Sequence, residues 1–248
     1  MMDHTTNTEL VTLADWLQQA THTTVLTGAG MSTESNIPDF RSKDGWWKKI
    51  DPRTVATTEA MNNNYNLFHE FYSMRINKLK ECAPHKGHDI LAKWEKKGLI
   101  QAIATQNVDG FHTEAGNRHV YELHGSIHNM RCATCFRSAS EKQFLNKERC
   151  VHCGGKLRPG VVLFGEMLPE DSWEAALNHI RQSDLVIVIG TSLEVYPANQ
   201  IPHMTNGRTV YINAEINASH IHFDLRIQGK AGEVLSQVDE IMNANDSL

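Results

Sequence analysis

Four of the five cysteines stand in two closely spaced pairs, a pattern that suits a metal ion. The first pair is Cys132 and Cys135. The second is Cys150 and Cys153, and fourteen residues separate the two pairs. Four thiolates presented by two tight turns form the closed tetrahedral set that zinc takes in structural sites. Disulfides and a redox-active pair are alternatives, but we expect one structural zinc with no open position for catalysis. We expect Cys82, the fifth cysteine, to be a small core residue rather than a nucleophile.

Small or polar residues follow four candidate strands. Glycine turns occupy 28–30 and 190–192, Asn213 follows a third apolar run, and the polar segment 105–109 follows a fourth. The first turn lacks the third glycine of a dinucleotide fingerprint, and taken alone it could be an ordinary strand-to-helix turn. Ligand sites in open parallel sheets lie beyond the carboxyl ends of strands. The four strand ends together therefore predict a nucleotide crevice.

Apolar runs that alternate with helical patterns indicate an α/β fold. The candidate strands are 23–27, 99–105, 120–123, 185–189, 209–212 and 225–227. Apolar residues at helical spacing occur around 10–17 and over 88–97, 171–181 and 233–242. Continuous apolar strands separated by helices predict a Rossmann-like parallel sheet with helices on both faces.

Two segments interrupt this alternation. Residues 44–80 show no clear strand and end in a helical stretch, and residues 130–158 are polar and hold the cysteines. We expect these two insertions, one helical and one a zinc ribbon, to form a smaller domain. The Rossmann-like domain would then comprise 1–43, 81–129 and 159–248.

Composition argues against several classes of partner. The chain has 248 residues and a formal net charge of -5, so no broadly basic surface for nucleic acid is expected. The amino-terminal residues lack the pattern of a secretory signal, and the longest apolar run, 185–189, is too short for a bilayer. We therefore expect a cytoplasmic protein without membrane contact, whose slight acidity weakly favours a lysine-rich protein partner.

The motifs together resemble those of the sirtuin family. The matching segments are 28–32, 37–41, 105–109, 123–125, both cysteine pairs, 159–166, 190–193 and 212–213. They occur in the family's order from about residue 20 to 215. Asn36 departs from the family, which usually has glycine there, but asparagine tolerates a left-handed backbone better than most residues.

The resemblance implies an NAD-dependent lysine deacylase. The acyl-lysine substrate and NAD would enter opposite sides of a cleft between the two domains. His124 would act as the general base, since an imidazole has an unperturbed pKa near 6.5. Asn107 and Asp109 would shape the nicotinamide pocket and help to expose the reacting ribose carbon. The products would be nicotinamide, O-acyl-ADP-ribose and free lysine.

The resemblance also implies a set of binding residues. The cofactor-binding set is Gly28, Ala29, Gly30, Ser32, Asp39, Phe40, Arg41, Gln106, Asn107, Asp109, Gly190, Thr191, Ser192, Asn213 and Ala231. Val161, Val162 and Phe164 would line the tunnel for acyl-lysine, although the two valines alone would read as a core strand.

A further pattern concerns the acyl group. Tyr72 and Arg75 are three residues apart and share a face if the segment is helical. Arg75 offers a forked donor that matches a carboxylate, and Ala56 is small enough to leave room for a longer chain. The three residues resemble the pattern of sirtuins that remove negatively charged acyl groups. The alternative is that Tyr72 and Arg75 are ordinary helix residues.

Two other functions remain open at this point. One is mono-ADP-ribosyl transfer on the same fold, which needs no base in the position of His124. The other is a non-enzymatic NAD-binding or zinc-ribbon interaction module, which does not need Asn107, Asp109 and His124 together.

Overall fold

A six-stranded parallel sheet forms the centre of the structure, a computed structural model that describes residues 4–38, 52–216 and 221–245. The strands are β1 (Thr23–Thr27), β2 (Ala102–Thr105), β3 (Val120–Glu122), β4 (Gly125–Cys132), β5 (Ser138–Ala139), β6 (Leu157–Val161), β7 (Leu185–Ile189), β8 (Arg208–Asn213) and β9 (Leu225–Gln228). The α-helices are α1 (His4–Gln19), α2 (Pro52–Val55), α3 (Thr58–Asn63), α4 (Tyr65–Leu79), α5 (Lys86–Lys96), α6 (Phe111–Glu114), α7 (Glu141–Leu145), α8 (Glu170–Gln182) and α9 (Ala231–Asn245).

The strand order of the main sheet is β3-β2-β1-β7-β8-β9, and all neighbours are parallel. From β1 the chain adds strands first on one side and later, from β7, on the other. The order therefore reverses between β1 and β7, which is where ligands bind in open α/β sheets. The predicted α/β fold with a parallel sheet is confirmed.

Helices cover both faces of this sheet. Val25 belongs to the core beneath α1, α5 and α9, together with Leu13 and Trp94. Leu26, the next residue, belongs to the opposite core, where it packs with Trp173 of α8. Because β1 is covered on both faces, all five of its residues are buried, including its three threonines. In the part of the chain that the structure describes, no helix combines the length and the apolar character needed to cross a bilayer.

The second predicted strand is shorter than the sequence indicated. The apolar run begins at Leu99, but β2 begins at Ala102. The Leu99 N–H donates to the carbonyl of Trp94, and the Gln101 side chain donates to the carbonyl of Gly98. Residues 98–101 therefore form the turn that ends α5, and β2 begins only after this turn.

A second, smaller module contains the cysteines. Its three antiparallel strands have the order β5-β4-β6, and its core packs aromatic residues of α4, such as Phe68 and Phe71, against Phe144 of α7 and Leu157 of β6. The sequence indicated no strand in 130–158, because the segment is polar. The small sheet begins at Gly125 and ends at Val161. The domain boundaries given above stay a prediction.

Candidate active site

A cleft of about 1090 Å³ lies between the two modules, at the carboxyl ends of the parallel strands. It brings together these candidate residues: Ala29, Gly30, Ser32, Ala56, Tyr72, Arg75, Gln106, Asn107, Asp109, His124, Val161, Val162, Phe164, Gly190, Thr191, Ser192, Asn213 and Ala231. Gly28 is not among the lining residues. Asp39, Phe40 and Arg41 lie outside the described residues. Residues far apart in the sequence therefore meet in one cleft.

The two glycine turns pack directly against each other. The Gly30 N–H donates to the carbonyl of Gly190 at 2.7 Å, and the Gly28 N–H donates to the carbonyl of Ile189 at 3.0 Å. A Cβ on Gly30 would lie 2.8 Å from the Cα of Gly190, which itself adopts φ +63°. Any side chain at these positions would push the turns apart. The glycines therefore bring β1 and β7 to a shared floor of the cleft.

The residues after the first turn form a short 3₁₀ helix, Ala29–Ser35, that ends at Asn36. Asn36 has φ 62° and ψ 21°, a left-handed conformation that asparagine adopts more readily than most residues. Its N–H donates to the carbonyl of Thr33. Asn36, where sirtuins usually have glycine, therefore still allows the chain to turn here.

Ser32, Asn107 and Asp109 form one buried hydrogen-bonded network. The Ser32 hydroxyl donates to Oδ2 of Asp109 at 2.8 Å and accepts from Nδ2 of Asn107 at 3.1 Å. Burial raises the pKa of Asp109, while hydrogen bonds from the Phe111 N–H and the Ser32 hydroxyl lower it. The sirtuin resemblance placed Ser32 in the cofactor-binding set, whereas its hydroxyl here donates to Asp109. A contact of Ser32 with the cofactor stays a prediction.

His124 lines the cleft, and one hydrogen bond fixes its tautomer. Its Nδ1 is 3.1 Å from the carbonyl oxygen of Gln106, which can only accept, so Nδ1 carries the hydrogen. Burial lowers the pKa of His124, and the bond to Gln106 opposes that shift. The neutral imidazole therefore keeps a lone pair on Nε2, which is what a general base requires.

The part of the cleft lined by Thr191 and Asn213 contains a residue that sequence reasoning missed, Tyr211. The Tyr211 hydroxyl donates to the carbonyl of Thr191 at 2.9 Å and accepts from Nδ2 of Asn213 at 2.9 Å. Gln106 also donates to the hydroxyl of Thr191, at 3.0 Å. Tyr211 thus links the ends of β7 and β8. The one available signal was a tyrosine between the apolar residues Val210 and Ile212, since a buried phenol usually finds a partner.

Residues 161–164 connect the two modules where the sirtuin resemblance predicts the acyl-lysine tunnel, a part of the cleft called the acyl side below. The Val162 N–H donates to the carbonyl of His124 at 2.8 Å, and the Phe164 N–H donates to the carbonyl of Ala56 at 2.9 Å. Val161 is buried, whereas the Phe164 side chain is 55% exposed at the cleft. The segment therefore holds the base on one side and Ala56 on the other.

A buried ion pair that the sequence did not indicate supports this segment. Arg158, only 2% exposed, contacts both carboxylate oxygens of Glu166, with Nη2 2.9 Å from Oε2. Glu166 also accepts from the Leu163 N–H at 2.8 Å. Burial raises the pKa of Glu166, but the hydrogen bonds from Arg158 and Leu163 outweigh it and hold the pKa below its usual range. The pair fixes the loop beyond β6.

Tyr72 and Arg75 share the face of α4 that borders the cleft, as their spacing indicated. Tyr72 is buried, and its hydroxyl hydrogen-bonds with Arg75. The Arg75 guanidinium lies 5.6 Å from the ring centroid of Phe71 and is attracted to Asp109. Arg75 therefore lies between the acyl side of the cleft and the network around Asp109.

The four paired cysteines meet in the small module. Their Sγ atoms all lie within 4.8 Å of one another, and the Cys132–Cys153 and Cys135–Cys150 distances are 3.5 and 3.6 Å. A disulfide needs about 2.05 Å, whereas a tetrahedral site with Zn–S bonds of ~2.3 Å has S–S edges of ~3.8 Å. Burial raises the pKa of Cys132, but N–H groups of Cys135 and Thr134 outweigh it and favour the thiolate. The cluster fits a structural zinc.

Comparison with known proteins assigns this architecture to a family. The sequence model of the Sir2 family matches residues 28–197, more than half of the chain. This chain belongs to the Sir2 family. An NAD-dependent protein deacetylase of Oceanobacillus iheyensis is 46% identical over 231 residues, covering 91% of this chain and 98% of the relative. NAD-dependent protein deacetylase 1 of Geobacillus kaustophilus is 48% identical over 239 residues, covering 93% and 97%.

A solved Sir2 structure shares the arrangement of both modules. The crystal structure of a Sir2 homolog–NAD complex is 36% identical to this chain and superposes with a TM-score of 0.87, covering 94% of each chain. Both the sirtuin resemblance and the Rossmann-like fold with a smaller zinc module are thereby confirmed.

The cleft of this Sir2 family chain fits a dinucleotide in size and in chemistry. Its volume of about 1090 Å³ is slightly above the ~300–1,000 Å³ that small-molecule sites usually have. Hydroxyl and amide groups of Gln106, Thr191 and Asn213 stand along its floor, where ribose and phosphate oxygens need partners. The residues present therefore suit NAD.

Proposed function

We propose that this chain is an NAD-dependent protein lysine deacylase, which transfers an acyl group from lysine to ADP-ribose and releases nicotinamide. The observation that carries the proposal is His124, whose hydrogen-free Nε2 lies in a cleft shared by the polar strand ends and residues 161–164. The names of the relatives support deacylation. Neither mono-ADP-ribosyl transfer nor a non-enzymatic interaction module receives similar support.

The strand ends supply the cofactor side. We expect Gly30, Thr191 and Asn213 to hold the phosphates and the adenosine ribose, and Gln106 to contact the other ribose. When bound, NAD supplies an electrophilic ribose carbon and the hydroxyl groups that receive the acyl group. Asn107 and Asp109 keep the nicotinamide end of the cleft polar and fixed, because Ser32 joins them in one network.

His124 supplies the proton transfer. Its Nε2 can accept a proton from a hydroxyl group in the cleft, while Nδ1 stays bonded to the carbonyl of Gln106. A positioned general base typically contributes ~10²–10⁴-fold to the rate. Because Val162 donates to the carbonyl of His124, the base and the acyl-lysine side of the cleft are held in one frame.

A peptide assay with mass detection tests this function. A lysine-acetylated peptide should lose its acetyl group only when NAD is present, with equal amounts of nicotinamide and O-acetyl-ADP-ribose formed. His124→Asn keeps a side-chain N–H near the position of Nδ1 but removes the base, so it serves as the inactive control. Appearance of ADP-ribosylated protein without deacetylation would instead favour the transferase.

We further propose that the enzyme accepts succinyl-lysine as well as acetyl-lysine. Ala56, Tyr72 and Arg75 border the same cleft as His124, and the Arg75 side chain hydrogen-bonds with the Tyr72 hydroxyl. A succinyl carboxylate that reached this corner would find a guanidinium and a phenol, which match its two oxygens. The small side chain of Ala56 leaves space for the longer chain.

The zinc module has a structural role in this proposal. Four thiolates leave no open position, so the metal would order the small module and not touch the reaction. None of the five cysteines is in a disulfide, as is usual in the cytoplasm, where we propose that the enzyme meets its protein substrates.

A further inference from the structure

Strand β4 carries an irregularity directly beside the nicotinamide end of the cleft. Ser126 pairs with Gly160, but the next paired residue of β4 is Met130, opposite Pro159. Three residues of β4, 127–129, therefore have no partner on β6. Pro159 has no N–H to donate to a regular ladder, which suits a bulge at this point. Bulges next to active sites often redirect side chains.

The bulge turns two successive residues of β4 toward another part of the chain. The Ile127 N–H donates to the carbonyl of Val108 at 3.0 Å, and the His128 Nε2–H donates to the carbonyl of Asp109 at 2.7 Å. The bulge thus holds two successive carbonyls of the 108–110 turn, which contains Asp109.

The imidazole also fits the surface of this turn. Gly110 has φ +78°, and a Cβ built on it would lie 3.0 Å from Cδ2 of His128. The ring therefore packs against the one residue of the turn that has no side chain. Its hydrogen bond and its packing act on the same three-residue segment.

The backbone and the side chain of Asp109 are held from opposite directions. His128 holds the backbone carbonyl, whereas the carboxylate accepts from the Phe111 N–H at 3.0 Å and from the Ser32 hydroxyl at 2.8 Å. Ser32 in turn accepts from Asn107. If the turn moved, the carboxylate could not keep both of its donors, and Asn107 would lose its fixed partner.

We propose that His128 is a positioning residue for the reaction: with the β4 bulge, it fixes the 108–110 turn and thereby the nicotinamide end of the cleft. The proposal rests on the deacylase function, because nicotinamide is the group that leaves there. His128 does not line the cleft, so it acts through Asp109 and does not contact the substrates.

Three variants separate positioning from general stability. His128→Leu removes the donor at similar volume, whereas His128→Gln keeps an N–H close to the position of Nε2. Asn129→Leu is the matched control, because Asn129 is the exposed next residue of the same bulge. For His128→Leu we expect kcat to fall about 10-fold or more and nicotinamide to inhibit less well, since small misplacements can cost up to ~10²-fold. The KM for the acyl peptide and the melting temperature should stay close to the parent values.

His128→Gln and Asn129→Leu should both keep kcat within about threefold of the parent. The Phe111 amide, which donates to Asp109, should exchange faster with solvent in His128→Leu alone. An unchanged kcat in His128→Leu, or equal losses in the Leu and Gln variants, would overturn the proposal. The amide exchange needs no turnover. It therefore still decides on His128 if the parent proves inactive on every acyl-lysine peptide, a result that would reject the deacylase function separately.

Discussion

The Nδ1 atom of His124 lies 3.1 Å from the carbonyl oxygen of Gln106, the residue directly after β2. A backbone carbonyl at a strand end cannot rotate away, so the imidazole is oriented by the sheet itself. The Gln106 N–H donates to the carbonyl of Thr27. The Asn107 N–H, which shares a peptide with the Gln106 carbonyl, donates to the Thr105 hydroxyl at 3.0 Å. The orientation of the base therefore depends on the pairing of β1 with β2.

Replacing His124 with alanine should abolish turnover and leave NAD binding nearly intact. The imidazole moves a proton and does not hold the floor of the cleft, so kcat should fall by ~10²–10⁴-fold. Calorimetric titration should give an NAD affinity within a few-fold of the parent. A collapse of NAD binding would instead make His124 a cofactor-holding residue.

The acid limb of kcat/KM should have its midpoint below pH 6.5. Burial lowers the pKa of His124, so the imidazole stays neutral and basic at pH values where a free histidine is already protonated. Activity should therefore persist as pH falls through 6.5 and decline only at lower pH. The profile should be measured with an acetylated peptide that has no ionisable neighbour. A midpoint clearly above 6.5 would contradict burial as the controlling influence.

Removing zinc should unfold the small module and stop the reaction together. Structural zinc contributes of order 10 kcal/mol to folding in small peptides. Cys132→Ala should therefore lose bound zinc, melt at a lower temperature and lose activity. Cys82→Ala is the matched control, because Cys82 is partly buried in the same module's core but lies outside the four-thiol set. A metal-free variant that stayed folded and active would refute a structural zinc.

Sequence reasoning succeeded where local pattern and tertiary role coincide. A central strand buried on both faces is usually a continuous apolar run, and the run Leu185–Ile189 had the same bounds in the sequence and in the structure. The four cysteines could be assigned to one structural zinc because the spacing within the two pairs matches the ligand spacing of such sites. The family motifs located His124 because a short segment carries both the base and the turn after it.

Features that depend on distant partners were not predictable. The small sheet was not predicted because its strands mix polar and apolar residues, and because the β4 bulge breaks any regular alternation. The sequence does not indicate that Arg158 and Glu166 form an ion pair, because only the fold brings their side chains together. Tyr211 read as a core residue, since only the juxtaposition of β7 and β8 brings Thr191 and Asn213 to its hydroxyl.

Two buried histidines should make the fold sensitive to acid. Burial, with neighbouring imidazoles, lowers the pKa of His88 to about 2 and that of His112 to about 3. The unfolded chain binds these protons near pH 6.5 and the folded chain does not, so stability falls as pH drops below 6.5. Each histidine should lower the free energy of unfolding by roughly 1.4 kcal/mol per pH unit between pH 6 and 4. Urea unfolding at several pH values should show this slope. His112→Gln should reduce this slope by the contribution of one histidine. An unchanged slope in the variant would count against a lowered pKa of His112.

Replacing Arg75 with methionine should selectively depress desuccinylation. If the guanidinium binds the succinyl carboxylate, its loss removes hydrogen bonds to a charged group that contribute about 1.5–3 kcal/mol, or roughly 10- to 150-fold in kcat/KM. The acetyl form of the same peptide has no carboxylate for Arg75 to bind and should change much less.

Arg75→Lys is the graded control, because it keeps the charge but loses the fork that matches two oxygens. Its kcat/KM for the succinyl peptide should therefore fall between those of the parent and the methionine variant. The comparison needs kcat/KM for both acyl forms of one peptide in all three proteins. Equal losses on the two substrates would show that Arg75 acts mainly through Asp109, to which it is attracted, and no desuccinylation in the parent would reject the hypothesis outright.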